Sequence, residues 1–367
     1  MKKYFIIAGE PSGDLYGGNL IRSLKEINPD TSFMGHGGDS MQKEGMKIIE
    51  HVDNLSIMGF YEVLKELPRM LLIMKKTIGL IKKSKPDRVI LIDYPGFNLK
   101  LAKKIHHLKI PITYFILPQV WAWKKNRIKI IKSYIDQSIS IFPFEEKWFK
   151  RNGIPVEFFG HPLADEEHLN ESTKEFFGRH SLDIKKPIVA LLPGSRQQEI
   201  DRHLDILIET IKLLKKEIKD IQVIIGKSPN VKLPKLPDFY RIEENSKKAM
   251  VVSTAAIVAS GTATLECAFE QTPLVVCYKL SNLSWWLAKR LVQIKYSSII
   301  NIIVDRALVP ECIQNDMKPK NILDKLLPLL DDKSEDRKKM IFDFNKIKRS
   351  LGGPGVYKRI AEAITKQ

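Results

Sequence analysis

Residues 255–266 of this chain join an apolar, strand-like run to a helix-like run through three small residues. Ser260, Gly261 and Thr262 leave little side chain in the predicted turn, so backbone N–H groups and two hydroxyls can face an anion at the positive end of the helix dipole. Glu266 follows one helical turn later, where a carboxylate beside a phosphate can accept hydrogen bonds from ribose hydroxyls. The same pattern is also typical of an ordinary strand–helix junction with an acidic residue in its first turn.

A second turn of this kind ends at Arg196, after the sequence Leu-Leu-Pro-Gly-Ser. A cation at the start of a predicted helix is unfavourable unless an anion lies beside it. Because a guanidinium hydrogen-bonds phosphate oxygens in a bidentate fork, a pyrophosphate between Arg196 and the turn at 260–262 would account for both features. The sequence contains no Asp-x-Asp triplet, so we expect neither a metal ion nor another cofactor at this pyrophosphate.

Asp93 is placed to act on a hydroxyl group. It follows the apolar run at 88–92 and precedes the chain-breaking sequence Tyr-Pro-Gly-Phe-Asn. Ligands of open α/β sheets bind at the carboxyl ends of the strands, so Asp93 suits a general base that takes a proton from an attacking hydroxyl. Alternatively, Asp93 caps the helix that follows.

Three further candidates lie in the first strand–helix loop, Gly-Glu-Pro-Ser-Gly-Asp at 9–14. Glu10 and Asp14 can orient sugar hydroxyls or a hydroxyl nucleophile, and Ser12 between them is a candidate for acceptor binding. Asp14 equally suits an interaction with the dipole of the next helix. His36, at a glycine-rich strand end, is interpreted as structural.

The elements that position these residues are predicted from alternating strand-like and helix-like segments, which indicate parallel sheets covered by helices. The alternation breaks near residue 165 and then resumes. We therefore predict an α/β chain of two tandem Rossmann-like, doubly wound domains, 1–165 and 175–340, with a cleft between them. A helical C-terminal tail is expected, whose helices within 340–367 pack back on the first domain. The predicted strands are 4–8, 32–35, 47–50, 88–92, 112–116, 137–141, 156–158, 188–192, 222–225, 240–242, 255–259 and 274–277.

Composition limits the classes of protein that this chain can represent. Three cysteines without a C-x-x-C spacing argue against a disulfide framework or a structural zinc site, and predict a reducing compartment. No apolar segment is long enough to span a membrane. The net charge of +17 favours an acidic partner, either nucleic acid or anionic lipid, or reflects only a lysine-rich genome.

Residues 62–85 interleave apolar and basic side chains around a wider apolar arc than one buried stripe requires. This pattern suits an interfacial helix on anionic lipid; an amphipathic crossover helix with a solvated basic face is the alternative. Aromatic and basic residues also cluster at 121–127 and 285–290, where they suit nucleic acid or lipid headgroups. The residues predicted to face a membrane are Met70, Leu71, Met74, Lys75, Lys76 and Ile78.

The order and spacing of the motifs resemble those of the lipid-A-disaccharide synthases, glycosyltransferases of family 19 with the two-domain GT-B fold. The resemblance spans most of the chain, and its motifs are specific in combination rather than singly. The matching segments are Ala8-Gly-Glu-Pro-Ser-Gly-Asp14, Met58-Gly-Phe-Tyr-Glu-Val-Leu64, Ile92-Asp-Tyr-Pro-Gly-Phe-Asn98, Val120-Trp-Ala-Trp123, Phe159-Gly-His-Pro-Leu-Ala-Asp165, Leu191-Leu-Pro-Gly-Ser-Arg196, Ala259-Ser-Gly-Thr-Ala-Thr-Leu-Glu266 and Trp286-Leu-Ala-Lys-Arg-Leu291.

That resemblance implies metal-free, inverting transfer of diacylglucosamine from its UDP derivative to diacylglucosamine 1-phosphate, with release of UDP. It implies that the first domain supplies the base and binds the acceptor, while the second binds the donor. By position, Asp93 matches the proposed base, Glu10 the first-loop carboxylate, Arg196 the phosphate-side arginine, Glu266 the ribose-side glutamate and Asn301 a further family asparagine.

Acylated substrates stay in the bilayer, so we expect a cytoplasmic enzyme attached peripherally to the cytoplasmic face of the inner membrane, and a homodimer is a further expectation. Two alternatives remain. One is another GT-B enzyme that acts on a UDP-sugar, such as an N-acetylglucosaminyltransferase or an epimerase. The other is a basic two-lobed protein that binds polyanions without catalysis. The latter leaves Asp93 and Glu266 without a role, and nucleic acid is not an expected partner because no recognition motif for it is visible.

Overall fold

The computed structural model describes residues 2–55, 66–122, 126–166, 172–229, 231–291 and 295–366. The chain divides into two compact units. The first unit consists of Met1–Asp165 and Leu351–Gln367, and the second of Glu166–Ser350. The resembling segment at 58–64 and Trp123 lie outside the described residues.

The first unit contains a seven-stranded parallel sheet in the order β3-β2-β1-β4-β5-β6-β7. The order reverses between β1 and β4, and such a reversal is where open α/β sheets bind ligands. The strands are β1 Lys3–Ile7, β2 Ser32–Gly37, β3 Lys47–His51, β4 Arg88–Ile92, β5 Ile112–Phe115, β6 Gln137–Ser140 and β7 Glu157–Phe158.

Proline determines where several helices of this unit begin, because its missing N–H costs nothing in the first turn. Pro68, for example, lies in the first turn of the helix Leu67–Ser84. The helices are α1 Pro11–Ile27, α2 Asp39–Lys43, α3 Leu67–Ser84, α4 Pro95–Ile105, α5 Arg127–Tyr134 and α6 Pro143–Arg151.

The second unit contains a six-stranded parallel sheet in the order β10-β9-β8-β11-β12-β13, which reverses between β8 and β11. Its strands are β8 Ile188–Leu192, β9 Gln222–Gly226, β10 Tyr240–Glu243, β11 Ala255–Ala259, β12 Leu274–Tyr278 and β13 Glu311–Ile313. Its helices are α7 Thr173–His180, α8 Gln197–Glu217, α9 Ser246–Val251, α10 Thr262–Phe269, α11 Asn282–Leu291, α12 Ile299–Val304, α13 Pro319–Leu330 and α14 Glu335–Ser350.

The last helix, α15 Val356–Lys366, belongs to the first unit. The Asp165 carboxylate accepts hydrogen bonds from the backbone N–H groups of Gly355, Val356 (3.1 Å) and Tyr357 (2.8 Å), so it supplies the N-terminal cap of this helix. Of the segment expected to return to the first domain, only residues from 351 onward do so, because α14 packs within the second unit.

The prediction of two tandem doubly wound α/β sheets is confirmed. Strands such as β4 and β11 are buried along their whole length, as parallel strands covered on both faces must be. Strand β13 was not predicted because three residues carry too little periodicity. Among the described residues, no helix combines the length and the apolar character needed to cross a bilayer.

Candidate functional site

The reversal in the first sheet brings two loops together. Glu10 follows β1 and Asp93 follows β4, and these strands are direct neighbours. The ring of Tyr94 packs against Gly9: a Cβ at Gly9 would lie 2.2 Å from the Tyr94 ring. Glycine at position 9 therefore allows the two loops to make contact at the edge of the sheet where ligands bind.

The backbone turns sharply at Asp93 and Tyr94, and both residues have left-handed φ angles, 44° and 49°. Such angles cost non-glycine residues about 1–3 kcal/mol each and persist only where the surroundings enforce them. The carbonyl oxygen of Asp93 accepts hydrogen bonds from the Tyr114 hydroxyl (2.6 Å) and the Asn98 amide (2.8 Å). Its N–H donates to the carbonyl of Phe115 at 3.0 Å. We call residues 93–94, held by these three bonds, the Asp93 elbow.

Burial, together with the nearby Glu10 carboxylate, raises the pKa of the Asp93 carboxyl to about 6, against the opposing effects of the Tyr94 N–H and the Arg127 guanidinium. Burial and the Asp93 charge raise the pKa of Tyr114 well above its usual value, so its hydroxyl remains a donor. A carboxyl with a pKa near 6 is ionised at neutral pH yet more basic than an ordinary aspartate, as a general base requires. Sequence reasoning identified Asp93 and Glu10 but missed Tyr114, Asn98 and Arg127.

Asp14 does not remain available to a sugar. Its buried carboxylate accepts hydrogen bonds from the N–H groups of Gly38 (2.6 Å), Ser40 (2.9 Å) and Met41 (3.1 Å). These bonds fix the start of α2, so the expectation that Asp14 contacts substrate is corrected. Ser12 is exposed near the start of α1 and its role stays a prediction. His36 is buried beside the Thr77 hydroxyl, and burial lowers its pKa to about 4, which agrees with its interpretation as structural.

The reversal in the second sheet places the turn at 260–262 beside the turn that ends at Arg196. Strands β8 and β11 are neighbours, and Leu192 pairs with Val258, so the two strands end level. Gly261 is the N-cap residue of α10, with an extended φ of 166° that any residue can adopt, and a Cβ there would meet no atom within 4 Å. The first N–H groups of a helix have no partner inside it. The start of α10 thus combines such N–H groups with open space beside Gly261.

Arg196 already has an anion beside it, contrary to the argument from sequence. Its guanidinium lies 3.7 Å from the Glu199 carboxylate, with about half of the side chain exposed. Glu199 also accepts hydrogen bonds from Ser195 N–H (2.9 Å), Arg196 N–H (3.3 Å) and the Tyr278 hydroxyl (2.9 Å). The Glu199 carboxylate thus accepts from the free N–H groups at the start of α8. The position of Arg196 alone is therefore no evidence for a bound phosphate. Its long, weak ion pair leaves the guanidinium able to bind one.

Glu311 organises the loop behind the turn at 260–262. Its carboxylate accepts hydrogen bonds from Ser297 N–H (3.0 Å), Ser298 N–H (2.9 Å) and the Asn301 amide (2.8 Å). The Ser260 hydroxyl in turn donates to the carbonyl of Ser297 at 2.9 Å. Glu311 was not predicted, because a glutamate in a three-residue strand has no distinctive pattern.

Asn301 is fully buried and its side-chain groups are committed. Its amide donates to the carbonyl of Val309 and to Glu311, while its oxygen accepts from Leu308 N–H (2.8 Å) and Val309 N–H (2.9 Å). These bonds give Asn301, which the resemblance marked without assigning it a role, a structural role in the loop.

Glu266 lies in α10 beyond its first turn. Burial, together with the neighbouring Glu166 carboxylate, raises the pKa of its carboxyl to about 7, against the opposing effects of Lys247 and the Thr262 hydroxyl. Lys247 is itself held by Glu166 at 3.1 Å and Glu270 at 3.4 Å. The charge of Glu266 therefore changes near neutral pH, within the helix that follows the turn at 260–262.

Helix α3 presents a mixed apolar and basic face. Leu71, Leu72, Lys75 and Lys76 are exposed, and Met70 and Ile78 are half-buried. Met74 is only 6% exposed and packs in the core, which corrects its prediction as membrane-facing: α3 must bury one stripe against the sheet.

Trp121, one of the aromatic residues suggested for headgroup binding, is buried and donates a hydrogen bond to the carboxyl of Glu145 at 2.9 Å. Burial raises the pKa of Glu145 to about 8. Sequence reasoning did not find this pair, because the two residues meet only through the fold.

Comparison with solved structures supports the architecture. A UDP-GlcNAc 2-epimerase from Neisseria meningitidis aligns with a TM-score of 0.69 at 14% identity, covering all of both chains. The kitacinnamycin glycotransferase also aligns with a TM-score of 0.69, at 10% identity, covering all of this chain and 98% of the other. At these identities the likeness shows the fold alone.

Comparison with sequences shows the family. The sequence model of the lipid-A-disaccharide synthetase family matches residues 4–361. The lipid-A-disaccharide synthase of Coxiella burnetii (strain CbuK_Q154) is 38% identical over 334 residues, 90% of this chain and 89% of the relative. The enzyme of the same name from Myxococcus xanthus (strain DK1622) is 32% identical over 99% of this chain and 96% of the relative. The predicted resemblance is confirmed, and the chain belongs to the lipid-A-disaccharide synthetase family of glycosyltransferases.

Proposed function

We propose that this chain condenses UDP-2,3-diacylglucosamine with 2,3-diacylglucosamine 1-phosphate to give the β-1,6-linked lipid A disaccharide 1-phosphate and UDP. The family and the names of its relatives support this reaction. The assignment of residues rests on the Asp93 elbow. Its strained backbone is held by hydrogen bonds and places Asp93 where the strand order of the first sheet reverses. The first unit is assigned the base and the acceptor, and the second unit the donor.

The chemistry follows from the groups described. Asp93 accepts the proton of the acceptor 6-hydroxyl while that oxygen bonds to the anomeric carbon of the donor. The bond from this carbon to the diphosphate oxygen breaks, UDP leaves with the electron pair, and the anomeric configuration inverts. Glu10 helps to keep Asp93 basic by raising its pKa. Arg196 and the N–H groups at 261–262 bind the diphosphate and stabilise the charge that develops on it. No metal or cofactor is assigned a role.

Helix α3 is proposed to attach the enzyme to the cytoplasmic face of the inner membrane. Exposed Leu71 and Leu72 lie beside exposed Lys75 and Lys76, a combination that suits the interface of an anionic bilayer. Each basic residue near such a surface contributes about 1 kcal/mol to binding. Attachment keeps the enzyme where its acylated substrates are.

Asp93→Asn is expected to lower turnover by about a hundredfold or more, because the amide cannot take up the proton. The measurement is UDP release from the diacylated nucleotide sugar, with and without the lipid acceptor. UDP affinity measured by calorimetry should be unchanged. Asp30→Asn, at an exposed carboxylate at the opposite edge of the same sheet, is the matched control. Near-normal turnover of Asp93→Asn would exclude the base, and UDP release without acceptor would exclude the transferase.

Tyr114→Phe is expected to lower kcat by about fivefold, since removing one hydrogen bond of about 1 kcal/mol loosens the Asp93 elbow. The donor KM should stay constant, because the donor is assigned to the other unit. Tyr4→Phe, at another buried tyrosine of the same sheet, is the control and should leave kcat unchanged. Equal losses of kcat in both variants would show that Tyr114 supports the stability of the sheet and has no specific effect on the Asp93 elbow.

Glu266→Gln is expected to remove a pH dependence of UDP binding. The pKa of Glu266 is raised to about 7, so the charged carboxylate that accepts ribose hydroxyls forms only as the pH rises through that value. The ratio of wild-type to variant affinity should therefore increase about tenfold between about pH 6 and 8. Taking this ratio cancels the titration of the UDP phosphates. A ratio that does not change with pH would show that the Glu266 carboxylate does not bind the ribose.

Gly261→Ala is expected to weaken UDP binding by about tenfold or more, because the new methyl group would occupy the space over the helix N-terminus. The fold should tolerate it: the backbone angle suits any residue and no neighbour is displaced. Gly353→Ala, which also meets open space, is the matched control. If both variants keep wild-type affinity for UDP, the diphosphate does not bind at this turn.

A further inference from the structure

Helix α11 of the second unit carries two aromatic–cation pairs that the proposed chemistry does not use. The Arg290 guanidinium lies 3.7 Å from the ring centroid of Trp286, and the Lys289 ammonium lies 5.3 Å from that of Trp285. Trp286 is 49% exposed, an unusual fraction for so large an apolar side chain. The pairs follow the i, i+4 spacing that aligns side chains along a helix.

The sequence around α11 contains no acidic residue. From Gln271 to Val304 there is no aspartate or glutamate, whereas Lys279, Lys289, Arg290 and Lys295 are basic. Another aromatic–cation pair of the unit differs in this respect: Lys346 lies 4.3 Å from the ring centroid of Phe342 but also 3.8 Å from the Asp343 carboxylate. The charge around α11 is therefore suited to an extended anionic surface rather than to a local ion pair.

The segment that contains α11 leaves the ligand-binding edge of the sheet and returns to it. At its start, Lys279 N–H donates to His203 at 3.0 Å and Leu280 N–H donates to Gln314 at 2.9 Å. At its end, the carbonyl of Ser297 accepts from the hydroxyl of Ser260 in the proposed diphosphate turn. The two ends of the segment that contains α11 are thus held at the edge that carries the turn assigned to the donor.

The acyl chains of the proposed donor bring the diphosphate turn close to a membrane. The proposed donor carries its acyl chains on the sugar attached to the diphosphate, so a turn that holds the diphosphate must come close to the bilayer that holds the chains. Tryptophan favours the membrane–water interface, where its ring is partly apolar and its N–H remains hydrated. Lysine and arginine beside it can reach the lipid phosphates.

We propose that α11 is an interfacial anchor of the second unit, with Trp286 in the headgroup region of an anionic bilayer and Arg290 and Lys289 at its phosphates. This anchor is separate in sequence from α3, which belongs to the first unit. The inference rests on the proposed function only for the reason that the turn comes close to a bilayer, namely the acyl chains of the donor. The vesicle-binding test itself contains no substrate and so does not depend on the proposed function.

The test uses the full chain and the double variant Trp286→Ser/Arg290→Ser. Its partitioning onto phosphatidylethanolamine–phosphatidylglycerol vesicles should fall at least about fivefold, the loss expected for one basic residue at an anionic surface. The matched control is Phe342→Ser/Lys346→Ser, which removes the same kinds of group from an exposed pair on α14. That control should bind as wild type does, and Trp286→Ser/Arg290→Lys should recover part of the loss.

A second readout locates the contact. Brominated acyl chains should quench the tryptophan fluorescence of wild-type protein, and less so that of Trp286→Phe. Calorimetry with UDP and UDP release in detergent micelles should be unchanged in every variant, because α11 is not assigned to the diphosphate or to the base. If these assays fail for wild type while vesicle binding depends on Trp286, the proposed function is wrong and the anchor stands.

Three results would overturn the anchor. Equal partitioning of the double variant and the wild type would show that α11 does not contact lipid. A loss of UDP affinity in the double variant would make Trp286 part of the donor site. Binding to single-stranded DNA that depends on Trp286 and Arg290, with vesicle binding unchanged, would assign the surface to nucleic acid.

Discussion

The carbonyl oxygen of Asp93 accepts hydrogen bonds from Tyr114 and Asn98, and the geometry of the first unit's site depends on that pair. Tyr114 comes from the neighbouring strand β5 and Asn98 from helix α4, so three separate elements must be in register before the backbone can hold two left-handed residues. The carboxyl of Asp93 is held near Glu10, and burial together with the Glu10 charge raises its pKa. A folded sheet thus gives an ordinary aspartate the basicity suited to proton transfer.

In the second unit, internal carboxylates accept hydrogen bonds from backbone N–H groups that have no partner in a helix or strand. Glu199 accepts from the N–H groups at the start of α8, and Glu311 accepts from those at 297–298, in the loop that the Ser260 hydroxyl contacts. Because these anions already fix the surrounding loops, the turn at Gly261 can stay open without losing its shape. Its helix N-terminus then provides a preorganised position for a diphosphate, with the weakly paired Arg196 on the adjacent strand end.

The spacing of apolar, small and acidic residues along the sequence predicted the two sheets and their ligand-binding edges. Apolar runs identified both sheets, and small residues after β11 and a carboxylate after β4 identified the two sheet edges, because strand ends in parallel sheets carry a characteristic chain break. Long-range contacts decided the rest. Asp14 and Asn301 hold loops by accepting hydrogen bonds from backbone N–H groups. Glu199 is the anion beside Arg196 that the sequence did not predict. The elbow could not be predicted, since its donors lie elsewhere in the sequence and nothing in the residue types at 93–94 requires a left-handed turn.

The central claim is that the ionised carboxylate of Asp93 takes the proton in the transfer step, and the pH dependence of kcat/KM for the lipid acceptor tests it most directly. Saturating donor keeps the titration of Glu266 out of the measurement, and dividing the wild-type profile by that of Asp93→Asn removes the titration of the acceptor phosphate, whose second pKa is about 6. The pKa of Asp93 is raised to about 6, so the basic form is present above that pH and is lost as the pH falls through it. The account predicts a single-proton decline in kcat/KM centred near pH 6. A profile that stays level well below this pH, to the usual range of an exposed aspartate, would contradict it.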